Sequence, residues 1–256
     1  MIKEYVLNKD TNLKFEILDS VDSTNTLAKL RAKEGADEGY IVIASHQTAG
    51  RGRLGRSFSS PDGTGIYMSI ILKPALSPEK TVLITTAAAV AVSQAIEELS
   101  GKQTQIKWVN DILISGKKVC GILTEGSIDP QSKNLDFAVL GIGINVFRPK
   151  NDFCDEIKDI AGAVFDKYNE EIKTNLILKI IENFFYYYKV IEEKTFFDYY
   201  KEKCFVIGKK VNIIKNGKII SNGEVLDLTH DFSLMIRKES GETEKLSSGE
   251  ISIRTI

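Results

Sequence analysis

The sequence predicts an α+β protein: a mixed β-sheet flanked by helices over residues 1–203, followed by a small β-barrel over residues 204–256. Three observations predict it. Short apolar, β-branched runs such as Tyr40-Ile41-Val42-Ile43-Ala44 and Ile66-Tyr67-Met68-Ser69-Ile70-Ile71-Leu72 read as strands. Between them lie segments with the apolar spacing of a helical face, notably Ile177, Ile181, Phe184 and Tyr188 within residues 174–194. From Cys204 onward the helical period disappears, and short strands are punctuated by Asn216-Gly217, Asn222-Gly223 and Ser240-Gly241.

In chain order, Asp22 and Ser23 cap a helix through Thr24–Leu30 that Gly35 stops. The strand at 40–45 leads into Gly50-Arg51-Gly52-Arg53-Leu54-Gly55-Arg56. After the strand at 66–72, Ser77-Pro78-Glu79 opens an alanine-rich helix that runs to Leu99 and ends at Gly101. Strands return at Gln105–Trp108, Ile112–Ile114, Val119–Thr124 and Phe137–Ile144, with a hairpin turn at Ser115-Gly116-Lys117. The aromatic stripe that Phe185, Tyr186 and Tyr187 widen is read as core rather than as a cofactor site.

Composition narrows the chemistry. Lys and Arg total 34 against 35 Asp and Glu, so no global field recruits nucleic acid or an acidic membrane. The N-terminal MIKEYVLNKDTN lacks the apolar core of a signal peptide, and Val82–Val92 reads as too short to span a bilayer. Three widely spaced cysteines, 120, 154 and 204, suggest a reduced, cytoplasmic chain. With only His46 and His230, a histidine metal site or a Ser-His-Asp triad has almost no raw material.

Three glycines and three arginines share the seven residues from Gly50 to Arg56, in a chain of net charge -1. Glycine lets backbone approach a ligand closely, and arginine presents a permanently charged fork to phosphate or carboxylate oxygens. The stretch also spells G-x-G-x-x-G, but a dinucleotide site needs a helix opening on the last glycine. Here SFSSPDGTG follows, a run of turn residues, so that reading fails on context.

Other short signals stand in order around this loop. Ser23-Thr24-Asn25 and Gln47 precede it. Lys107-Trp108-Val109-Asn110-Asp111, Lys118-Val119-Cys120-Gly121-Ile122-Leu123, Gly141-Ile142-Gly143-Ile144-Asn145 and Gly249-Glu250-Ile251-Ser252-Ile253-Arg254 follow. The series, covering roughly residues 20 to 256, closely resembles biotin protein ligases. The resemblance implies a catalytic domain like that of class II aminoacyl-tRNA synthetases, capped by an SH3-like barrel. It implies that biotin and ATP are the substrates, with Mg²⁺, and that they form biotinyl-5′-AMP. Biotin then passes to one lysine of a biotin carboxyl carrier domain of a biotin-dependent carboxylase.

On that resemblance Arg51, Arg53 and Lys118 are the catalytic cations, offsetting repulsion as a carboxylate attacks a phosphate. Ser23, Thr24, Asn25, Gln47, Gly50, Arg51, Lys118, Gly121, Leu123, Gly141 and Gly143 are expected at biotin. Arg53, Arg56, Phe58, Lys107, Trp108, Asn110 and Asn145 are expected at the nucleotide, and Asp111 on the metal side. Plainer roles stand beside these: Ser23 and Thr24 as helix caps, Trp108 as packing, Asn110 and Asp111 as turn formers. The glycine-rich loop is expected to be mobile when empty and to close over the intermediate. Relatives usually carry Pro where Val109 stands and often Trp near Phe58, changes expected to alter affinity rather than abolish activity. The 22 residues before Ser23 leave no room for the DNA-binding domain some relatives carry, so no DNA binding is expected; a homodimer through the central sheet stays open. The alternatives are a lipoate or octanoyl ligase, and a non-catalytic biotin-binding module.

Overall fold

The computed structural model describes residues 2–8, 11–215, 217–247 and 251–255. Eight strands form one mixed sheet: β1 (Ile2–Asn8), β2 (Thr11–Val21), β3 (Tyr40–Gln47), β4 (Gly65–Leu72), β5 (Gln105–Lys107), β6 (Asp111–Ile114), β7 (Lys117–Ile128) and β8 (Leu135–Asn145). Their spatial order is β1-β2-β3-β4-β8-β7-β6-β5. The β2–β3 pair is parallel, joined by helix α1 (Thr24–Lys33), and the other neighbours run antiparallel.

Both faces of this sheet are covered, which is why its central strands are apolar throughout rather than alternating. All eight residues of β4 are buried. One face packs Val42, Ile71, Phe137 and Val139 against Ala28 and Ala32 of α1. The opposite face packs Ile41, Ile70, Leu72, Ala138 and Leu140 into the main core. That core holds α2 (Thr81–Ser100), α3 (Glu170–Lys189) and α4 (Phe197–Lys203). With its preceding turn, α2 is long and apolar enough to cross a bilayer, longer than the Val82–Val92 run suggested, but 72% of that window is buried within the protein. Helix-helix contact on one side and sheet on the other account for its apolarity.

The second sheet, β9 (Lys210–Lys215), β10 (Lys218–Leu228), β11 (Leu234–Lys238), β12 (Thr243–Leu246) and β13 (Ile251–Thr255), is antiparallel in the order β12-β11-β10-β9-β13. Trp108 fastens it to the first: its indole N–H donates to the Phe232 carbonyl at 2.9 Å, in a buried contact.

Several expectations are corrected. Strands β1 and β2 were not anticipated, although Leu13 and Phe15 flank Lys14 in the alternation of a half-buried strand. Helix α4 was also missed. Pro78 opens a 3-10 turn, and α2 itself starts at Thr81. Trp108 lies outside β5, and its peptide bond to Val109 is cis. Asn222-Gly223 is not a turn but the middle of β10, where a Cβ on Gly223 would stand 2.6 Å from the Arg237 carbonyl oxygen. Ser240-Gly241 does turn β11 into β12, with Gly241 at φ 86°. Asn216, Gly249 and Glu250 lie outside the described residues.

Candidate functional site

Along β8, the side chains facing α1 shrink from Phe137 and Val139 to Gly141 and Gly143. Successive same-face positions on a strand are two residues apart, so bulk disappears just where α1 begins. Across the pairing, Gly143 faces Gly121 of β7, and Gly141 faces Leu123. The sheet backbone is thereby exposed to a cavity of about 140 Å³.

Most of the residues expected at the ligands surround this space. The first turn of α1 contributes Ser23, Thr24 and Asn25; β3 ends in it with Gln47; β7 supplies Lys118, Gly121 and Leu123; β8 supplies Gly141 and Gly143. Arg51, Arg53, Arg56 and Phe58 come from the glycine loop, and Lys107, Trp108, Asn110 and Asp111 from the β5–β6 connection. Among the described residues its lining holds five cationic side chains, Arg51, Arg53, Arg56, Lys107 and Lys118, and one carboxylate, Asp111, an excess of four positive charges. Set against the chain's net charge of -1, that is a local field for an anionic ligand.

Gly50 and Asn145 are not in the lining. Gly50 is buried behind the loop, where a Cβ would meet the Phe58 carbonyl oxygen at 2.3 Å. Asn145, 9% exposed, ends β8 opposite Gly65.

The loop closes on itself as a small hairpin. Arg51 bridges Ser57, the Gly52 amide donates to the Arg56 carbonyl at 2.7 Å, and the Phe58 amide donates to the Gly50 carbonyl at 2.9 Å. Leu54 (φ 56°) and Gly55 (φ 75°) make its tip. The guanidinium of Arg53 donates to Asn110 Oδ1 at 3.3 Å. Burial lowers the pKa of Arg53, against the opposing pull of Asp111. Asn110 Nδ2 is bound in turn to the Ile122 carbonyl at 2.9 Å, so it holds its turn as well as the arginine.

Ser23 occupies the N-cap position of α1 without a side-chain capping bond, which leaves its hydroxyl for the cavity; the expected capping role is not realised. Thr24 uses its amide (2.8 Å) and hydroxyl (3.1 Å) to fix Gln47 Oε1, while Gln47 Nε2 donates to Ser60 Oγ at 2.8 Å. Buried Ser69, on β4, donates to Asn25 Oδ1 at 2.6 Å, and Asn25 Nδ2 donates to Glu125 Oε2 at 2.9 Å. Sequence reading missed Tyr67, Ser69 and Glu125. The available signal was parity: Gly121, Leu123 and Glu125 share one face of β7, as Tyr67 and Ser69 do on β4.

Lys118 Nζ lies 2.7 Å from Asp111 Oδ1. That buried oxygen has no directed hydrogen bond, so the contact is an ion pair only. Phe58 takes up the space over the glycines: a Cβ on Gly143 would stand 2.6 Å from its ring and one on Gly121 3.2 Å. The ring also meets Tyr67 edge-on at 6.4 Å and lies 5.9 Å from Lys118 Nζ.

A mixed sheet with a cationic, glycine-floored cavity, joined to a second antiparallel sheet, is the architecture of an α+β ligase domain with a C-terminal module. The Biotin/lipoate A/B protein ligase family matches residues 17–145, and the Biotin protein ligase C terminal domain matches residues 206–254. The chain belongs to the biotin/lipoate A/B protein ligase family. It is 48% identical over 154 residues to the bifunctional ligase/repressor BirA of Bacillus subtilis, covering 60% of this chain and 47% of that protein. It is 35% identical over 136 residues to a biotin–[acetyl-CoA-carboxylase] ligase of Mycobacterium tuberculosis, covering 51% of this chain and 48% of that one. The chain thus spans about half the length of these curated relatives. In structure it is similar to the biotin protein ligase of Aquifex aeolicus in complex with biotin and ATP, with a TM-score of 0.75, 31% identity, and coverage of 94% of this chain and 99% of that one.

Proposed function

We propose that this chain is a biotin protein ligase, which converts biotin and ATP to biotinyl-5′-AMP and then transfers biotin to a lysine of a biotin carboxyl carrier domain. The observation that carries the reading is the convergence of Arg51, Arg53 and Lys118 on one small cavity with a polar rim and a backbone floor. The 31% identity spread over 94% of the chain to a ligase holding biotin and ATP supports it.

In the first step a biotin carboxylate oxygen forms a bond to the α-phosphorus, and the bond to the pyrophosphate oxygen breaks. Two anions must approach, and fixed cations in a poorly hydrated site offset their repulsion and the charge that develops on phosphate oxygens. Arg51, Arg53 and Lys118 take this role, with Arg56 and Lys107 at the nucleotide. In the second step the carrier amine attacks the acyl carbon and AMP leaves. Positioning and exclusion of water are then the main demands, and the chain's own nucleophiles are not used.

Ser23, Thr24, Asn25 and Gln47 supply donors and acceptors for a ring edge, while Gly121, Gly141 and Gly143 let ring faces approach the sheet. Asp111, the one carboxylate in the lining among the described residues, would suit a hard cation, which would have to share its buried Oδ1 with the Lys118 ammonium 2.7 Å away. Among the described residues no group of three or more His, Cys, Asp or Glu forms a metal cage. A Mg²⁺ here would be held mainly by phosphate oxygens and water with Asp111, and would supply further charge neutralisation.

The test is to combine the purified chain with biotin, Mg-ATP and a carrier domain and weigh the carrier. A gain of one biotinyl group is expected. A carrier that gains mass with lipoate but not with biotin would favour the lipoate reading; no gain, with biotin still bound, would favour a binding module.

A further inference from the structure

One carboxylate outside the expected set ties the cavity floor to the cationic loop. Glu125, on β7 two residues beyond Leu123, makes three contacts, two with helix α1 and one with the glycine loop. Its Oε2 accepts from Asn25 Nδ2 at 2.9 Å. Its Oε1 is shared by Lys29 Nζ of α1 at 2.5 Å and Arg51 Nη2 of the loop at 2.9 Å. Burial works to raise the Glu125 carboxyl, but the Asn25 bond and the two cations outweigh it, and its pKa is lowered.

The two cations are not equivalent. Lys29 sits on a helix, whereas Arg51 opens the glycine loop, and their side chains are 29% and 45% exposed against 17% for Glu125. Losing both partners would strand a half-buried carboxylate, which is costly. Losing Arg51 alone does not, because Lys29 stays on the same oxygen. The pair with Arg51 is therefore the one that can open at low cost, and an anion entering the cavity competes with Glu125 for that guanidinium.

We infer that Glu125 is a positioning residue for the cavity: it fixes the Asn25 amide on the floor and parks Arg51 at the mouth, releasing the arginine to an incoming carboxylate or phosphate while Lys29 keeps Glu125 neutralised. Only the identity of the displacing anion rests on the ligase reading; the Arg51–Glu125 pair itself is the contact the structure shows.

Glu125→Gln separates the arms. Its amide oxygen still accepts from Asn25, but it holds no charge for Arg51. Limited digestion of the full ligand-free chain with an arginine-specific protease, read by mass spectrometry, follows cleavage after Arg51, Arg53 and Arg56 relative to cleavage elsewhere. The expected result is loop cleavage about threefold faster or more in Glu125→Gln, the scale of a partly exposed ion pair. Lys29→Met, which leaves Arg51 as the sole partner of Oε1, is expected to be cleaved no faster than the parent. Raising salt should speed loop cleavage in the parent and not in Glu125→Gln, since screening acts on the pair. Equal loop-to-elsewhere ratios in parent and Glu125→Gln, or Lys29→Met opening the loop as much as Glu125→Gln, would overturn the inference. With biotin and Mg-ATP added, the difference between parent and Glu125→Gln should vanish. A ligand-free difference that persists unchanged in their presence would leave the parked state standing and count against the ligase reading.

Discussion

Lys118 Nζ stands 2.7 Å from Asp111 Oδ1, and this pair bridges the two strands that bound one wall of the cavity. The ammonium neutralises the one carboxylate in the cavity lining among the described residues, and on the proposed ligase reading it is the cation placed to meet a phosphate there.

Replacing Lys118 by Ala should therefore cut adenylate formation by about 10²- to 10³-fold, the scale of removing one preorganised electrostatic group. Pyrophosphate release in the absence of carrier measures it. Circular dichroism should show the fold retained, and biotin binding without ATP should change far less than the rate.

Phe58 covers the glycine floor, and the remaining cavity of about 140 Å³ is below the roughly 300–1,000 Å³ usual for small-molecule sites. On the proposed ligase reading, holding biotin and ATP together would require the ring to move. Phe58→Ala should admit ligand readily but shield the intermediate poorly, so the ratio of AMP formed to carrier modified should rise severalfold. An unchanged ratio would show that the ring does not guard the intermediate.

Far from the cavity, Glu16 is 7% exposed and accepts from Arg31 at 2.8 and 2.9 Å and from the Tyr40 hydroxyl at 2.8 Å. The Arg31 bonds lower its pKa below the ordinary 4.5, burial opposing them. A carboxyl depressed in the folded state stabilises fully above its unfolded pKa and ceases to do so as pH falls through the folded value. Glu16→Gln should cost about 2 kcal/mol at pH 7, or about 4–8 °C in Tm for a chain of this size. The difference from the parent should shrink as pH drops below about 4.5.

Trp108→Phe removes the donor to the Phe232 carbonyl and leaves a buried acceptor unpaired, worth about 1–3 kcal/mol. Because the bond joins the two sheets, hydrogen exchange at residues 228–234 should accelerate more than exchange in β4. Uniform acceleration would argue that the bond does not act locally.

Local chemistry made much of this structure legible. The helix at 24, the alanine-rich helix and strands β3, β4, β7 and β8 announce themselves by period and punctuation, and the loop by composition. What stayed hidden depends on pairing. Asn222-Gly223 reads as a turn by local preference, yet tertiary packing against Arg237 places it mid-strand. Glu125 looks like a surface carboxylate until β7 is registered on β8 and α1 is set above it. Phe58 follows a run of loop residues, and nothing local says that its ring folds back over Gly121 and Gly143.

The side-chain-free strip where β7 meets β8 has a consequence for selectivity. On the proposed ligase reading, once Phe58 yields, bare peptide planes would reward flatness, so the strip would screen visitors by thickness rather than by functional group. Discrimination among flat rings would then fall to the rim, where the Thr24 amide and hydroxyl fix the direction of the Gln47 side chain. Altering the accepted ring system would thus be a matter of rewriting the border residues, since a methyl added to the floor would already collide with Asn25 at Gly141 or with the Phe58 ring at Gly143.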